Sequence, residues 1–290
     1  MVMSKRKLLV LGANGMLGHA VLRWFAPLSG YEVVGAVRTA EAASELRQRV
    51  PDAAIVAGVD AARLDSLRQL FDQVRPDVVI NCIGVVKQLT GADHPATAIP
   101  INALLPHRLA RLCQAHEARL VHISTDCVFS GRRGGYREDD VADAEDLYGR
   151  SKLMGEVSAP HAVTLRTSII GHEMTSAHAL LGWFLSQRGV VPGYSNAIFS
   201  ALPTVELARV IEQHVLTDPS LRGIYHVAGP TINKYELLKL VAQIYRSENE
   251  LKAVPTLVID RSLDGQRFQS VTGYRPPDWP ALVETMRAFG

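Results

Sequence analysis

The chain has 290 residues, with 31 Lys and Arg against 29 Asp and Glu, so its formal net charge of +2 gives no electrostatic case for a nucleic-acid partner. That length suits one large α/β domain or a large domain with a smaller partner, and no apolar run approaches the roughly 18 residues of a membrane span. Three widely spaced cysteines, Cys82, Cys113 and Cys127, suit a reducing cytoplasm rather than a disulfide framework, and Cys113-x-x-His116 lacks the second ligand pair a metal site needs.

The first half alternates strand-like and helix-like segments. Residues 7–11 form a short apolar run that ends in glycine, too short for the core of a signal peptide. Residues 16–25 place Met16, Ala20, Val21 and Trp24 on or near one helical face. A β-rich stretch at 32–37, a helix at 40–49, a short strand at 54–58 and an amphipathic helix at 64–74 follow. Pro76-Asp77 breaks the chain before a strand at 78–82. A helix over 102–115 then leads to a strand at 120–124. This order predicts a parallel sheet covered on both faces by helices, joined by right-handed crossovers. Residues 131–146 are polar and acidic without a period, and read as a long loop. A helix around Tyr148, a strand at 162–166, helices at 176–186 and 204–216 and a strand at 224–227 come next. Asn233-Lys234-Tyr235-Glu236 offers a cap with an acid three residues on, opening a helix to about Arg246.

Gly12-Ala13-Asn14-Gly15-Met16-Leu17-Gly18 lies between the first strand and the first helix, the context a dinucleotide site needs. In such a turn one glycine permits the tight bend, one lets the backbone approach a pyrophosphate, and one allows close helix–sheet packing. The helix N-terminus adds partial positive charge. A plain strand–helix turn is the alternative. An acid after the second strand would bind the ribose of NAD, but Arg38-Thr39 stands there. A cation and a hydroxyl suit the 2′-phosphate of NADPH, with NADH use left open. Asp60, after the third strand, is a candidate adenine contact or a helix cap. The fold expected is α/β, a Rossmann-like doubly wound parallel sheet with a smaller C-terminal substrate-binding α/β region. Residues 1–166 would form the dinucleotide-binding part with the catalytic groups, and 167–290 the mainly substrate-binding part, partly interleaved with it.

Tyr148 and Lys152 stand four residues apart, so both project from one face of a helix. A free phenol ionises near pH ~10, and an ammonium beside it favours the phenolate. A phenol tuned toward neutrality is a usable general acid for a carbonyl under reduction. Such pairs also decorate helix surfaces, so their weight comes from the glycine turn and from Ser124-Thr125-Asp126.

Taken with those segments, the chain resembles the extended short-chain dehydrogenase/reductases and, within them, the dTDP-4-dehydrorhamnose reductase family. The likeness covers most of the chain. It rests on residues 12–18, on Asn81-Cys82-Ile83-Gly84, on Ser124-Thr125-Asp126-Cys127-Val128-Phe129-Ser130-Gly131, on Tyr148-Gly149-Arg150-Ser151-Lys152-Leu153-Met154-Gly155-Glu156, and on Arg166-Thr167-Ser168-Ile169-Ile170-Gly171. It implies reduction of a nucleotide-linked 4-keto-6-deoxyhexose for polysaccharide or O-antigen synthesis, by a cytoplasmic monomer or homodimer. In that role Tyr148 would protonate the carbonyl oxygen. Lys152 would lower the Tyr148 pKa and hydrogen-bond the nicotinamide ribose. Thr125 would hold the carbonyl oxygen, although capping a turn at the strand end is its plainer use. Cys82, Ile83, Gly84 and Asn102 would line the cofactor, with a helix N-cap the other account of Asn102. Val85, Lys87, Asp126, Cys127, Phe199 and Arg261 are candidate sugar-nucleotide contacts, Gln88 beside them, while Thr204 reads as a helix cap. Related dehydratases carry glutamate where Cys127 stands, and a neutral thiol is a poor base, so dehydration is disfavoured. Reduction of a UDP-linked 2-acetamido-2,6-dideoxy-4-hexulose, a non-catalytic NADP-binding regulatory subunit and an epimerase remain as other readings.

Overall fold

A computed structural model describes residues 5–86 and 93–290. The first half runs β1 (Arg6–Leu11), α1 (Met16–Phe25), β2 (Tyr31–Ala36), α2 (Ala40–Arg49), β3 (Ala54–Val56), α3 (Leu64–Val74), β4 (Val78–Asn81), α4 (Pro95–Ala98), α5 (Leu105–Ala115), β5 (Arg119–Ile123), α6 (Leu147–Met154) and β6 (Ala162–Arg166). It is followed by β7 (Ile169–Ile170), α7 (Leu180–Ser186), β8 (Val190–Tyr194), β9 (Ala197–Phe199), β10 (Leu202–Pro203), α8 (Thr204–Val210) and β11 (Gly223–His226). The chain closes with β12 (Ile232–Asn233), α9 (Lys234–Tyr245), β13 (Glu250–Val254), β14 (Ile259–Asp260), α10 (Gln266–Thr272) and α11 (Trp279–Phe289). Among the described residues no helix is long and apolar enough to cross a membrane.

One seven-stranded sheet has the order β11-β6-β5-β4-β1-β2-β3. β1 to β6 run parallel to their neighbours, as the alternating pattern requires. Side chains alternate between the two faces. Leu9, Leu11, Val34, Ala36, Val79 and Leu120 form one core with Leu67, Leu70 and Phe71 of α3 and Leu105, Leu109 and Cys113 of α5. The chain reverses order beside β1, between β4 and β2, and at such a point the strand ends of an open sheet leave a crevice.

The helix expected over 102–115 begins earlier and is not uniform. α4 starts at Pro95 and passes through a π-helical turn, Ile99–Leu104, into α5. Pro106 has no N–H to give the Asn102 carbonyl four residues back, which accounts for the widened turn there. Asn102 therefore sits inside a helical run and is not its N-cap.

The residues group into two compact units. One holds Met1–Ser124, Asp146–Leu165 and Pro219–Ile224; the other holds Thr125–Glu145, Arg166–Asp218 and Tyr225–Gly290. Thr125, which the sequence places with the first half, groups with the second unit. In that unit Asn233 caps α9 by accepting the Glu236 N–H, as its spacing predicts. The helix expected over 176–186 starts only at Leu180. Before it, the Glu173 carboxylate accepts from Ser176 Oγ and from the Ala179 N–H, and holds the chain in a loop. Thr204 is the first residue of α8 rather than its cap, which is Pro203.

Candidate functional site

At the glycine turn each glycine has a separate task. Gly12 adopts φ +72°, the left-handed region that a β-carbon disfavours. A β-carbon on Gly18 would fall well inside contact distance of the Gly12 carbonyl oxygen, so this glycine lets α1 lie against the turn. Gly15 is exposed, as is Asn14, and begins α1 with no side-chain cap and no acid in the first turn. The first N–H groups of α1, from Met16, half-buried, and Leu17, buried, have no partner within their own helix, as at any helix start. A dinucleotide diphosphate fits that donor set, with the helix dipole aiding the anion.

The segment after β4 forms the wall beside the turn. Ile83 packs on Gly12, where a β-carbon would meet its side chain at 3.0 Å and its nitrogen at 3.2 Å. Its backbone is pinned residue by residue. The Cys82 N–H donates to Leu11 O at 3.1 Å, and the Ile83 N–H donates to Asn81 Oδ1 at 3.2 Å. Asn102 holds Val85 from both sides, accepting its N–H at 2.9 Å and donating to its carbonyl at 3.0 Å. The same amide donates to Ser151 Oγ on α6 at 3.2 Å. Asn102 is thus a bracket between this wall and the Tyr148 helix. Burial pushes the Cys82 thiol up to about 12, with the nearby Lys152 opposing, so Cys82 is a wall and not a nucleophile.

Arg38 is exposed and lies just past β2, at the sheet edge where Gly12 follows β1. Thr39 caps α2, its hydroxyl accepting the Ala42 N–H at 3.3 Å. Asp60 makes a turn ahead of α3, accepting the Ala62 N–H at 3.0 Å, but the cap position of that helix is Arg63. Lys87 and Gln88 lie outside the described residues.

Tyr148 and Lys152 share α6, whose start is capped by Asp146 accepting the Gly149 N–H at 2.8 Å. Tyr148 is half-buried. Lys152 is only 4 % exposed and donates from Nζ to the Ile123 carbonyl at 2.6 Å. Burial lowers its pKa to about 8, against the opposing pull of Glu156 and Cys82. An ammonium held in such surroundings costs desolvation energy, which its contact with the Ile123 carbonyl offsets only in part. The strand end next to it, Ser124, donates from Oγ to Glu156 at 2.8 Å.

In the second unit Thr125 caps a short 3₁₀ turn, Asp126–Val128. Its Oγ1 accepts the Cys127 N–H and donates to Asp126 Oδ1, each at 3.1 Å. Asp126 is buried and Cys127 half-buried. Of the candidate substrate contacts, Phe199 is buried in β9, and Arg261 donates from Nε to the Phe129 carbonyl at 3.0 Å. Beneath the turn Phe129 stacks on Tyr136 at 4.2 Å, and the Arg166 guanidinium lies over the Phe129 ring.

Sequence reasoning missed a row of polar residues. Asn81, His122 and Thr164 are in register on β4, β5 and β6, and all three are fully buried. They continue the face that carries Val79, Leu120 and Ala162 toward α5. An uncharged polar residue or histidine within each of three largely apolar strands was the available signal.

A profile of the RmlD substrate binding domain matches residues 6–286. The chain belongs to the RmlD substrate binding domain family. A dTDP-4-dehydrorhamnose reductase of Aggregatibacter actinomycetemcomitans is 26 % identical, covering 98 % of this chain and 99 % of that one. A methionine adenosyltransferase 2 subunit beta of Xenopus tropicalis is 27 % identical, over 96 % of this chain and 89 % of its own. Among solved structures, a dTDP-4-dehydrorhamnose reductase of Bacillus anthracis in complex with NADP superposes with a TM-score of 0.80 at 21 % identity, over the full length of both chains. This RmlD-family chain therefore keeps the Rossmann-like fold, with the glycine turn and the Tyr148–Lys152 helix inside the matched range.

Proposed function

We propose that this chain is an NADPH-dependent reductase of the 4-keto group of a nucleotide-linked 6-deoxyhexose, with dTDP-4-dehydrorhamnose the leading substrate. The observation that carries the reading is Lys152, a buried ammonium one turn from Tyr148 on a helix bracketed by Asn102 to the wall of the glycine turn. Membership of the RmlD family supports it. NADPH, when bound, supplies the hydride. Met16, Leu17 and the other first-turn N–H groups of α1 would bind its diphosphate, and Arg38 would meet the 2′-phosphate as a point of charge. Lys152 donates one N–H to Ile123 O and keeps others that would reach the ribose hydroxyls, while its charge would favour ionisation of Tyr148. The Tyr148 hydroxyl delivers the proton to the carbonyl oxygen. The family resemblance would give Thr125, whose hydroxyl donates to Asp126, the task of stabilising charge that develops on the carbonyl oxygen.

The test is direct. The purified protein, NADPH or NADH, and dTDP-4-dehydrorhamnose or a UDP-linked 2-acetamido-4-hexulose are mixed, and reduced-cofactor absorbance is followed. Oxidation with the first and not the second substrate is expected; none with either sinks the reductase reading. The likeness to a methionine adenosyltransferase subunit favours a second reading, a partner subunit without turnover, and NADP binding without oxidation would point to it. Arg38→Asp is expected to lower the NADPH-over-NADH preference in kcat/KM by roughly 10- to 100-fold, the worth of one charge-assisted contact. An unchanged ratio removes Arg38 from the 2′-phosphate.

A further inference from the structure

The buried row on β4, β5 and β6 contains an arrangement that fixes its own chemistry. Asn81 faces two partners, the Ile83 N–H at 3.2 Å and His122 Nδ1 at 3.1 Å. A backbone N–H can only donate, so the Asn81 atom on that side is the oxygen. Its NH₂ group therefore faces His122, and Nδ1 must accept. The ring proton of His122 then sits on Nε2, and the imidazole is neutral. Burial holds its pKa well below the ordinary histidine value, and Lys152 on α6 and His107 on α5 press the same way. Thr164, the neighbour on β6, takes no part in the pair; its hydroxyl is committed to the Val157 backbone. Nε2 has no hydrogen-bond partner among the described residues, so the polar engagement of this ring is Asn81 alone.

An asparagine amide by itself can rotate and exchange its oxygen for its nitrogen. With His122 Nδ1 opposite, that rotation would set oxygen against a lone pair and NH₂ against the Ile83 N–H, losing one buried and one part-buried hydrogen bond at once. His122 is thus what keeps the Asn81 oxygen on Ile83. Ile83 in turn packs on the positive-φ turn at Gly12.

We propose that His122 and Asn81 are a positioning pair for the nicotinamide cofactor: His122, locked as the Nε2–H tautomer, orients Asn81, which holds Cys82–Gly84 against the glycine turn. The proposal rests on the cofactor reading above and adds two residues that touch neither cofactor nor substrate.

Two readouts test it without turnover. Nitrogen NMR of the ligand-free wild type is expected to show His122 neutral, with its proton on Nε2. In Asn81→Asp the carboxylate has no hydrogen for Nδ1, so the His122 proton moves to, or is added at, Nδ1. NADPH binding, followed by cofactor fluorescence, is expected to weaken about ten-fold in His122→Leu, the worth of one hydrogen bond to the amide. His122→Asn, which keeps an acceptor near the Nδ1 position, restores it to within about three-fold by the same measure. The loss falls mainly on KM for NADPH rather than on kcat. A wild-type proton on Nδ1 overturns the proposal, and so does a folded His122→Leu protein that binds NADPH as tightly as wild type. If His122→Leu does not fold, the wild-type spectrum and His122→Asn decide. Wild type that binds neither NADPH nor NADH overturns the cofactor reading itself, whereas wild-type binding with an indifferent variant overturns the positioning role alone.

Discussion

Replacing Tyr148 with phenylalanine is expected to lower turnover by about 10²- to 10⁴-fold, the usual contribution of a positioned general acid, while NADPH affinity stays within about two-fold. The substitution removes one oxygen and keeps the ring. The cap of α6 runs from Asp146 to the Gly149 N–H, and the Lys152 anchor runs from Nζ to the Ile123 carbonyl, so neither uses the phenol hydroxyl. Nor do the Asn102 contacts to Val85 and Ser151. Those contacts survive the substitution, and the loss should fall on kcat. Loss of reduced-cofactor absorbance with the keto sugar gives the rate, and NADPH fluorescence gives the affinity. A variant that kept the full rate would remove Tyr148 as the proton donor. One that lost cofactor binding equally would make its role structural.

The parts of this fold that were legible in the sequence are those set by local rules. α1, α2 and α3 follow from apolar spacing, and the glycine turn from three glycines between a strand and a helix. The Tyr148 helix shows itself through the four-residue spacing of Tyr148 and Lys152, while its cap, Asp146, lies in the stretch that reads as a loop. What escaped depends on distant partners. β8 and β13 pair in parallel although about 60 residues separate them, and neither has the alternation of a half-buried strand over enough residues to declare itself. α11 opens at Asp278-Trp279-Pro280, a good start signal, yet Pro276 and Pro277 just before it make the stretch read as a break. For Asn102 only the N-cap alternative fails, because the helical run begins ahead of it. Its amide spans Val85 and Ser151, contacts 17 and 49 residues away, which no spacing within one helix can reveal. The pairing of Asn81, quoted only as part of a motif, with His122 is hidden for the same reason: each is an ordinary polar residue until β4 and β5 are set side by side.

Gly155→Ala is expected to lower the melting temperature by several degrees and turnover by roughly ten-fold or more, although Gly155 is neither catalytic nor at positive φ. The cause is the π-helical turn. Pro106 leaves the Asn102 carbonyl without its ordinary partner, and the widened turn brings that oxygen up against the end of α6. A β-carbon on Gly155 would fall well inside contact distance of the Asn102 oxygen, and at 3.2 Å from the Pro106 ring. Backbone on one side and a proline on the other leave nothing flexible to yield. Overpacking of this kind costs about 1–3 kcal/mol, and in a chain of this size each kcal/mol is worth roughly 2–4 °C. The relief available is for α6 to move away from Asn102. That stretches the Ser151 bracket and shifts Tyr148 and Lys152 together, and a displacement of about 1 Å at reacting groups can cost as much as 10²-fold in rate. Gly30→Ala is the control, since a β-carbon there meets nothing within 4 Å and should leave stability within about 0.5 kcal/mol of wild type. If Gly155→Ala melted and turned over like Gly30→Ala, α6 would not be seated on the Asn102 carbonyl, and the bracket between the glycine-turn wall and the Tyr148 helix would have to be redrawn.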